Sequence, residues 1–204
     1  GAKWHRAAAE KGYVESQNYL GELYWRGHGV EQNNELAMMW QIKAATQGTG
    51  RMKLEIGHRY EQGLGVKLDY KEAVKWYRMG AEQGHDNSQV YLAEMYRDGR
   101  GVERDDVEAE KWYVKGAEQG DVEVQSNLAD NYMRGRGVPL DYGEASKWYK
   151  KAAEQGHAKS QYNLGVAYMN GQGIPVDNQS AVLWFTKASN QGYVNAQHNL
   201  AYMF

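Results

Sequence analysis

Few side chains in this sequence are placed to do chemistry. His58 has Glu61 three residues on and Glu94 thirty-six residues beyond it. A histidine with two carboxylates can hold zinc or divide general-base and general-acid work. The plainer reading is a solvated polar face, and the sequence favours it: no Gly-x-Ser-x-Gly, His-Glu-x-x-His or calcium-loop pattern occurs. His85 and His157 lie two such intervals apart, too far to share one metal. The absence of cysteine removes disulfides, thiolate metal sites and thiol nucleophiles together. Glycine pairs at Gly27/Gly29, Gly63/Gly65, Gly99/Gly101, Gly135/Gly137 and Gly171/Gly173 invite a phosphate-loop reading. None has a glycine three residues further on or a following Gly-Lys-Ser/Thr, and no strand pattern precedes them. They read as positive-φ turns between helices, with Val30, Val66, Val102, Val138 or Ile174 plugging the core behind each. The sequence therefore assigns no catalytic residue, no metal and no cofactor.

The elements that carry these residues follow from a strict period. Trp4, Trp40, Trp76, Trp112, Trp148 and Trp184 stand 36 residues apart, and Ala37, Ala73, Ala109, Ala145 and Ala181 keep the same interval. Tyr24, Tyr60, Tyr96, Tyr132 and Tyr168 do likewise, with Phe204 closing that column. Such self-similarity is the signature of stacked repeats, in which neighbours supply each other's core. We read a partial unit at 1–12, full repeats at 13–48, 49–84, 85–120, 121–156 and 157–192, and a partial unit at 193–204, together one repeat domain 1–204. Near balance of 24 basic and 26 acidic residues gives a net charge of −2, which argues against nucleic acid as partner. No apolar run is long enough to cross a bilayer.

Each unit reads as two helices. The first spans roughly Glu15–Arg26, with Leu20 and Tyr24 on one face. Asp69, Asp105, Asp141 and Asp177, and Asn33 in the first unit, are set to cap the second helix, and Glu72, Glu108 and Glu144 three residues later predict capping boxes. Ala73, Trp76, Tyr77, Gly80 and Ala81 form its apolar stripe, and the closing Gln83–Gly84 and its equivalents suit a left-handed cap. The second unit departs from this pattern: it has Met52–Lys53, preceded by Gly50, where others read Ser88–Gln89 or Ser160–Gln161. A looser or re-angled packing step is expected there.

The run L-G-x-x-Y-x-x-G-x-G-V-x-x-D-x-x-x-A-x-x-W-Y-x-K-A-A-E-Q-G, plainest over Leu128–Gly156 and Leu164–Gly192, resembles the Sel-one-like repeat (SLR), a relative of the tetratricopeptide repeat. The resemblance covers the whole chain. It implies an all-α, right-handed superhelical α/α solenoid whose first helices line a concave face, and a non-catalytic scaffold or adaptor that binds proteins, in bacteria commonly at the envelope or in host contact. It also implies an exported location, with a cytoplasmic one left open. Some cysteine-rich relatives are described as β-lactamases; lacking Cys and Ser-x-x-Lys, this chain does not inherit that activity.

Comparing the copies with one another separates roles. Columns that stay fixed serve packing, and outward columns that vary leave room for specificity. On tetratricopeptide geometry the candidate concave-face contacts are Trp25, His58, Glu61, Arg97, Met133, Arg134, Tyr162, Val166 and Met169. Their mixture of acids, bases and apolar groups suits a protein or peptide in the groove. Met133, Tyr162, Val166 and Met169 read either as an adaptable apolar stripe or as packing between neighbouring first helices. Trp25 reads either as a binding anchor or as cover for the N-terminal end. The first and last units are fractions, which predicts a piece of a longer array and possible head-to-tail self-association. Two other functions stay open at this point: an envelope or cell-wall hydrolase, and a structural spacer for self-assembly.

Overall fold

The computed structural model describes residues 2–203, and side chains from residue 3, so the Phe204 of the tyrosine column lies outside the described residues. The chain divides into two compact units, Gly1–Asp105 and Asp106–Phe204. In the first unit α1 (Ala2–Glu10), α2 (Val14–Arg26), α3 (Asn34–Gln47), α4 (Gly50–Gln62), α5 (Tyr70–Glu82) and α6 (Asp86–Asp98) follow one another. In the second, α7 (Asp106–Ala117), α8 (Val122–Arg134), α9 (Tyr142–Glu154), α10 (Ala158–Asn170), α11 (Asn178–Asn190) and α12 (Val194–Met203) do the same. Within each unit consecutive helices pack on one another, the arrangement of an α/α solenoid, and no strand occurs among the described residues.

The first helix of a repeat ends where a glycine takes the left-handed conformation, as Gly63 does at φ 69°. The second glycine of the turn is also left-handed, and at Gly65, Gly101 and Gly173 it lies against the preceding repeat. A β-carbon on Gly101 would fall 2.3 Å from the Tyr70 carbonyl oxygen, and one on Gly173 would fall 2.1 Å from the Tyr142 carbonyl carbon. No other residue type fits there. One backbone bond then closes the turn: the Asp69 amide donates to the Tyr60 carbonyl (2.9 Å), and Asp141 and Asp177 do so to Tyr132 and Tyr168.

Asp69 Oδ1 in turn accepts from the amides of Lys71 and Glu72, with the same cap at Asp141 and Asp177 and a single-bond version at Asn33. At Glu72 and Glu144 the reciprocal half of the expected capping box does not form. With the Asp amide already bound to a tyrosine carbonyl, these two pair instead with Lys75 and Lys147 one turn on, and Glu108 pairs likewise with Lys111. In the core, Trp40, Trp76, Trp112, Trp148 and Trp184 are buried, and Lys43, Lys115, Lys151 and Lys187 cover four of these five indoles, Lys151 at 3.8 Å.

A side-chain ladder ties repeat to repeat. Buried Gln17, Gln89, Gln125 and Gln161 donate to the carbonyls of Ala9, Ala81, Ala117 and Ala153, eight residues back. In the second unit Gln155 and Gln191 add further rungs, bonding Gly120 and Gly156 carbonyls and the side chains of Gln125 and Gln161. The ladder breaks where the sequence departs. Gly48 is extended (φ −88°, ψ −166°) instead of left-handed, and Thr49 caps α4. Lys53 is 2% exposed and donates its ammonium to the Gly48 carbonyl at 2.6 Å, while Gln17 Oε1 is left without a partner.

Two outcomes test this account. Gly173→Ala meets both backbone and an unfavourable φ and should cost about 3 kcal/mol or more, whereas Gly156→Ala, left-handed with open space around it, should cost about 1–2 kcal/mol in urea unfolding. Burial lowers the Lys53 pKa from 10.5, so the folded state carries a charge penalty that is full at neutral pH and fades as pH rises toward 10.5. Lys53→Gln should therefore stabilise the chain at pH 7 by about 1 kcal/mol, with the gain over wild type vanishing in alkaline solution.

Candidate functional site

The outward columns are carried by α2, α4 and α6 in the first unit and by α8 and α10 in the second. Between the two helices of a repeat, one second-helix position reaches the first helix: Gln41, Tyr77, Tyr149 and Phe185. Gly57 and Gly165 let these rings lie directly on the first helix, since a β-carbon there would fall 2.3 Å from Tyr77 and 2.7 Å from Phe185.

In the first unit this places Tyr77 at the centre of a polar cluster. Its hydroxyl donates to Glu61 Oε2 and lies 3.0 Å from His58 Nδ1. Arg100 Nη1 holds the other oxygen of Glu61 at 2.5 Å. Tyr91 stacks on Tyr77 at 5.4 Å and meets the His58 ring edge-on at 4.3 Å. Desolvation lowers the His58 pKa against the pull of Glu61, so the ring is neutral at pH 7. The same effect raises the Glu94 carboxyl above its ordinary range despite Arg97 and Arg100. Glu61 thus has both oxygens engaged and acts as the acceptor of a hydrogen-bonded lattice. No cluster of three or more metal-capable His, Asp or Glu occurs among the described residues.

Of the other expected contacts of this unit, Trp25 lies among other neighbours, and Arg97 joins the lattice through Asp98, which Arg100 also approaches at 3.4 Å. Trp25 is half-buried: Arg59 stacks on its ring at 4.2 Å, and Gly65 of the next turn lies beneath it. Arg97 pairs with Asp98 at 2.7 Å and approaches Glu94 at 4.0 Å.

The second unit repeats the device and then turns apolar. Tyr149 donates to Asp130 Oδ1, and Lys159 holds Asp130 Oδ2 at 2.5 Å. One repeat later the pair becomes Phe185 and Val166, so hydroxyl and carboxylate disappear together. Tyr162, Val166 and Met169 are half-buried against the Phe185 cluster, Tyr162 lying 5.8 Å from Phe185 and 5.1 Å from Tyr193. Met133 does not join that cluster, and Arg134 is exposed at the end of α8. Three members of the stripe thus pack, each keeping part of its surface exposed.

Sequence reasoning treated Tyr77, Tyr149, Tyr91 and Arg100 as filler or passed over them. The signal for two of them lay in two columns read together, since Tyr149 with Asp130 becomes Phe185 with Val166.

With this geometry in place the comparisons are informative. The Sel1 repeat model matches residues 14–49, 54–85, 86–121, 122–157, 158–193 and 194–204, leaving out the departure at Gly50–Lys53. The chain belongs to the Sel1 repeat family. It is similar to a protective antigen present in uropathogenic Escherichia coli strains that displays an SLR fold (39% identity, TM-score 0.83, covering 98% of this chain and 43% of that one). It is also similar to a Sel1 repeat protein from Oxalobacter formigenes (33% identity, TM-score 0.74, covering 93% and 80%). A putative Sel1 repeat protein from Klebsiella pneumoniae shares the fold at 22% identity and TM-score 0.52, covering 99% and 98%. This chain therefore spans less than half the length of the E. coli protein. No curated protein matches it.

The lattice around Tyr77 has a measurable weight. Tyr77→Phe keeps the ring but leaves Glu61 and His58 short of a partner, and should cost about 1–3 kcal/mol in denaturant unfolding. Tyr91→Phe, whose hydroxyl the lattice does not use, should cost less than about 0.5 kcal/mol.

Proposed function

We propose that this chain is a non-catalytic scaffold that holds a peptide or a protein surface along the outward face of its first helices. Proteins of the family generally serve as protein–protein interaction scaffolds. The observation that carries the reading is internal to the chain. At one first-helix position the copies hold Glu22, His58, Glu94, Asp130 and Val166, while the alanines, tryptophans and turn glycines around them stay fixed. Near-copies that conserve the core and vary one face are built to present that face.

Trp25, His58, Glu61, Arg97, Met133, Arg134, Tyr162, Val166 and Met169 are the contacts we assign. Mixed charge in the first unit supplies orientation and register. The half-buried surface of Tyr162, Val166 and Met169 in the second supplies an apolar anchor of the kind that dominates binding energy. Methionine lets such a surface adapt to its partner.

The test is affinity capture from the source cell with the intact protein, set beside Tyr162→Ala, Met169→Ala and Arg97→Glu. A partner held through this face should be depleted about tenfold or more by at least one of the three, each folded by circular dichroism. Equal retention by all three overturns the assignment.

A further inference from the structure

In the first unit α3 departs from its copies. The outer positions that hold Lys75, Lys111 and Lys147 in other repeats hold Met39 in α3, and the position of Arg78 and Lys150 holds Ile42. The consequence reaches Tyr60. Its counterparts Tyr24 and Tyr96 take hydrogen bonds from Arg6 and Arg78, eighteen residues earlier, and Tyr132 donates to Glu110, twenty-two residues earlier. At those two offsets from Tyr60 stand Ile42 and Met38, and neither can bond a hydroxyl. Beside them lies an open hollow of about 660 Å³, lined by Met38, Met39, Ile42, Val66 and Tyr60.

From this juxtaposition we propose that the hollow is a binding site for a short segment of a partner protein. The segment seats one or two large aliphatic or aromatic side chains on Met38, Met39 and Ile42 and offers an oxygen to the Tyr60 hydroxyl. The volume exceeds one side chain and lies within the range of ligand sites. Burial, then the Glu72 and Asp69 carboxylates, keep the Tyr60 proton in place through neutral pH, so the group is a standing donor. The rim is balanced: Glu35 and Asp69 lie beside Lys43 and Lys67, and among the described residues Glu35 and Lys67 pair with nothing. A phosphate-bearing or fatty-acid ligand calls for a cationic rim, whereas a neutral rim with one acid and one base free complements a peptide whose apolar residues are flanked by opposite charges.

The experiment selects short random peptides on the 204-residue chain and measures each enriched peptide by fluorescence anisotropy against wild type and three variants. Ile42→Arg installs the residue that two other copies carry and sets a guanidinium in the hollow eighteen residues before Tyr60, as Arg6 and Arg78 stand to Tyr24 and Tyr96. Met39→Lys installs the residue of four others, Lys3 included, at an exposed position. Both keep the fold, checked by circular dichroism and thermal unfolding. Tyr60→Phe removes only the donor. We expect a class of peptides rich in adjacent large apolar residues that loses about tenfold or more in affinity to Ile42→Arg and about three- to tenfold to Tyr60→Phe. Enriched peptides that all bind Ile42→Arg as they bind wild type would overturn the proposal. Oleate, titrated alongside, is the lipid arm: binding of oleate that Ile42→Arg abolishes, with no peptide showing that sensitivity, would overturn it equally.

Discussion

The contact on which the other features rest is that of a glycine with bare backbone. Gly101 and Gly173 press on the first residue of the second helix one repeat earlier, at a distance only hydrogen can occupy. That contact sets how closely successive repeats approach. In the turn beside it the aspartate amide meets a tyrosine carbonyl, and the aspartate carboxylate caps the next helix. The side chains of the glutamates three residues into the capped helices take no part in that cap. They leave the cap to the backbone and turn outward to lysine.

The tyrosines join core to surface. Tyr77 and Tyr149 are buried by their rings and polar at their tips, so one residue fills the helix interface and holds a carboxylate on the presented face. Phe185 with Val166 shows the same joint without its polar half. Variation on the face is therefore not independent of the core. A change from acid to valine requires a change from tyrosine to phenylalanine behind it, because a hydroxyl aimed at an apolar neighbour loses its partner. The surface of such a repeat is tuned in coupled pairs.

Legibility in the sequence followed the same division. The period, both helices of each unit, the aspartate caps and the left-handed glycines were readable, because each rests on a local rule that five copies repeat. The departure at Met52–Lys53 was readable as a position but not as a structure. That Lys53 would reach the Gly48 carbonyl depends on Gly48 abandoning its left-handed turn, a three-dimensional choice. Arg100 was invisible for a similar reason: it lies in a turn thirty-nine residues from Glu61, and only stacking brings them together. Trp25 stood out as an unmatched aromatic, yet its arginine and glycine neighbours come from the following repeat.

The missing rungs around Gly48 bear on how the first unit moves. Where a glutamine pair spans two repeats, opening one repeat breaks bonds in both, and fluctuations stay small and shared. At Gly48 a single lysine serves one carbonyl and Gln17 Oε1 is unsatisfied, so strain has somewhere to collect. Bending between α3 and α4 is softened there, in the manner of a green joint in a cane. Amides flanking that joint exchange with solvent ahead of their counterparts at the glutamine-linked steps of the second unit.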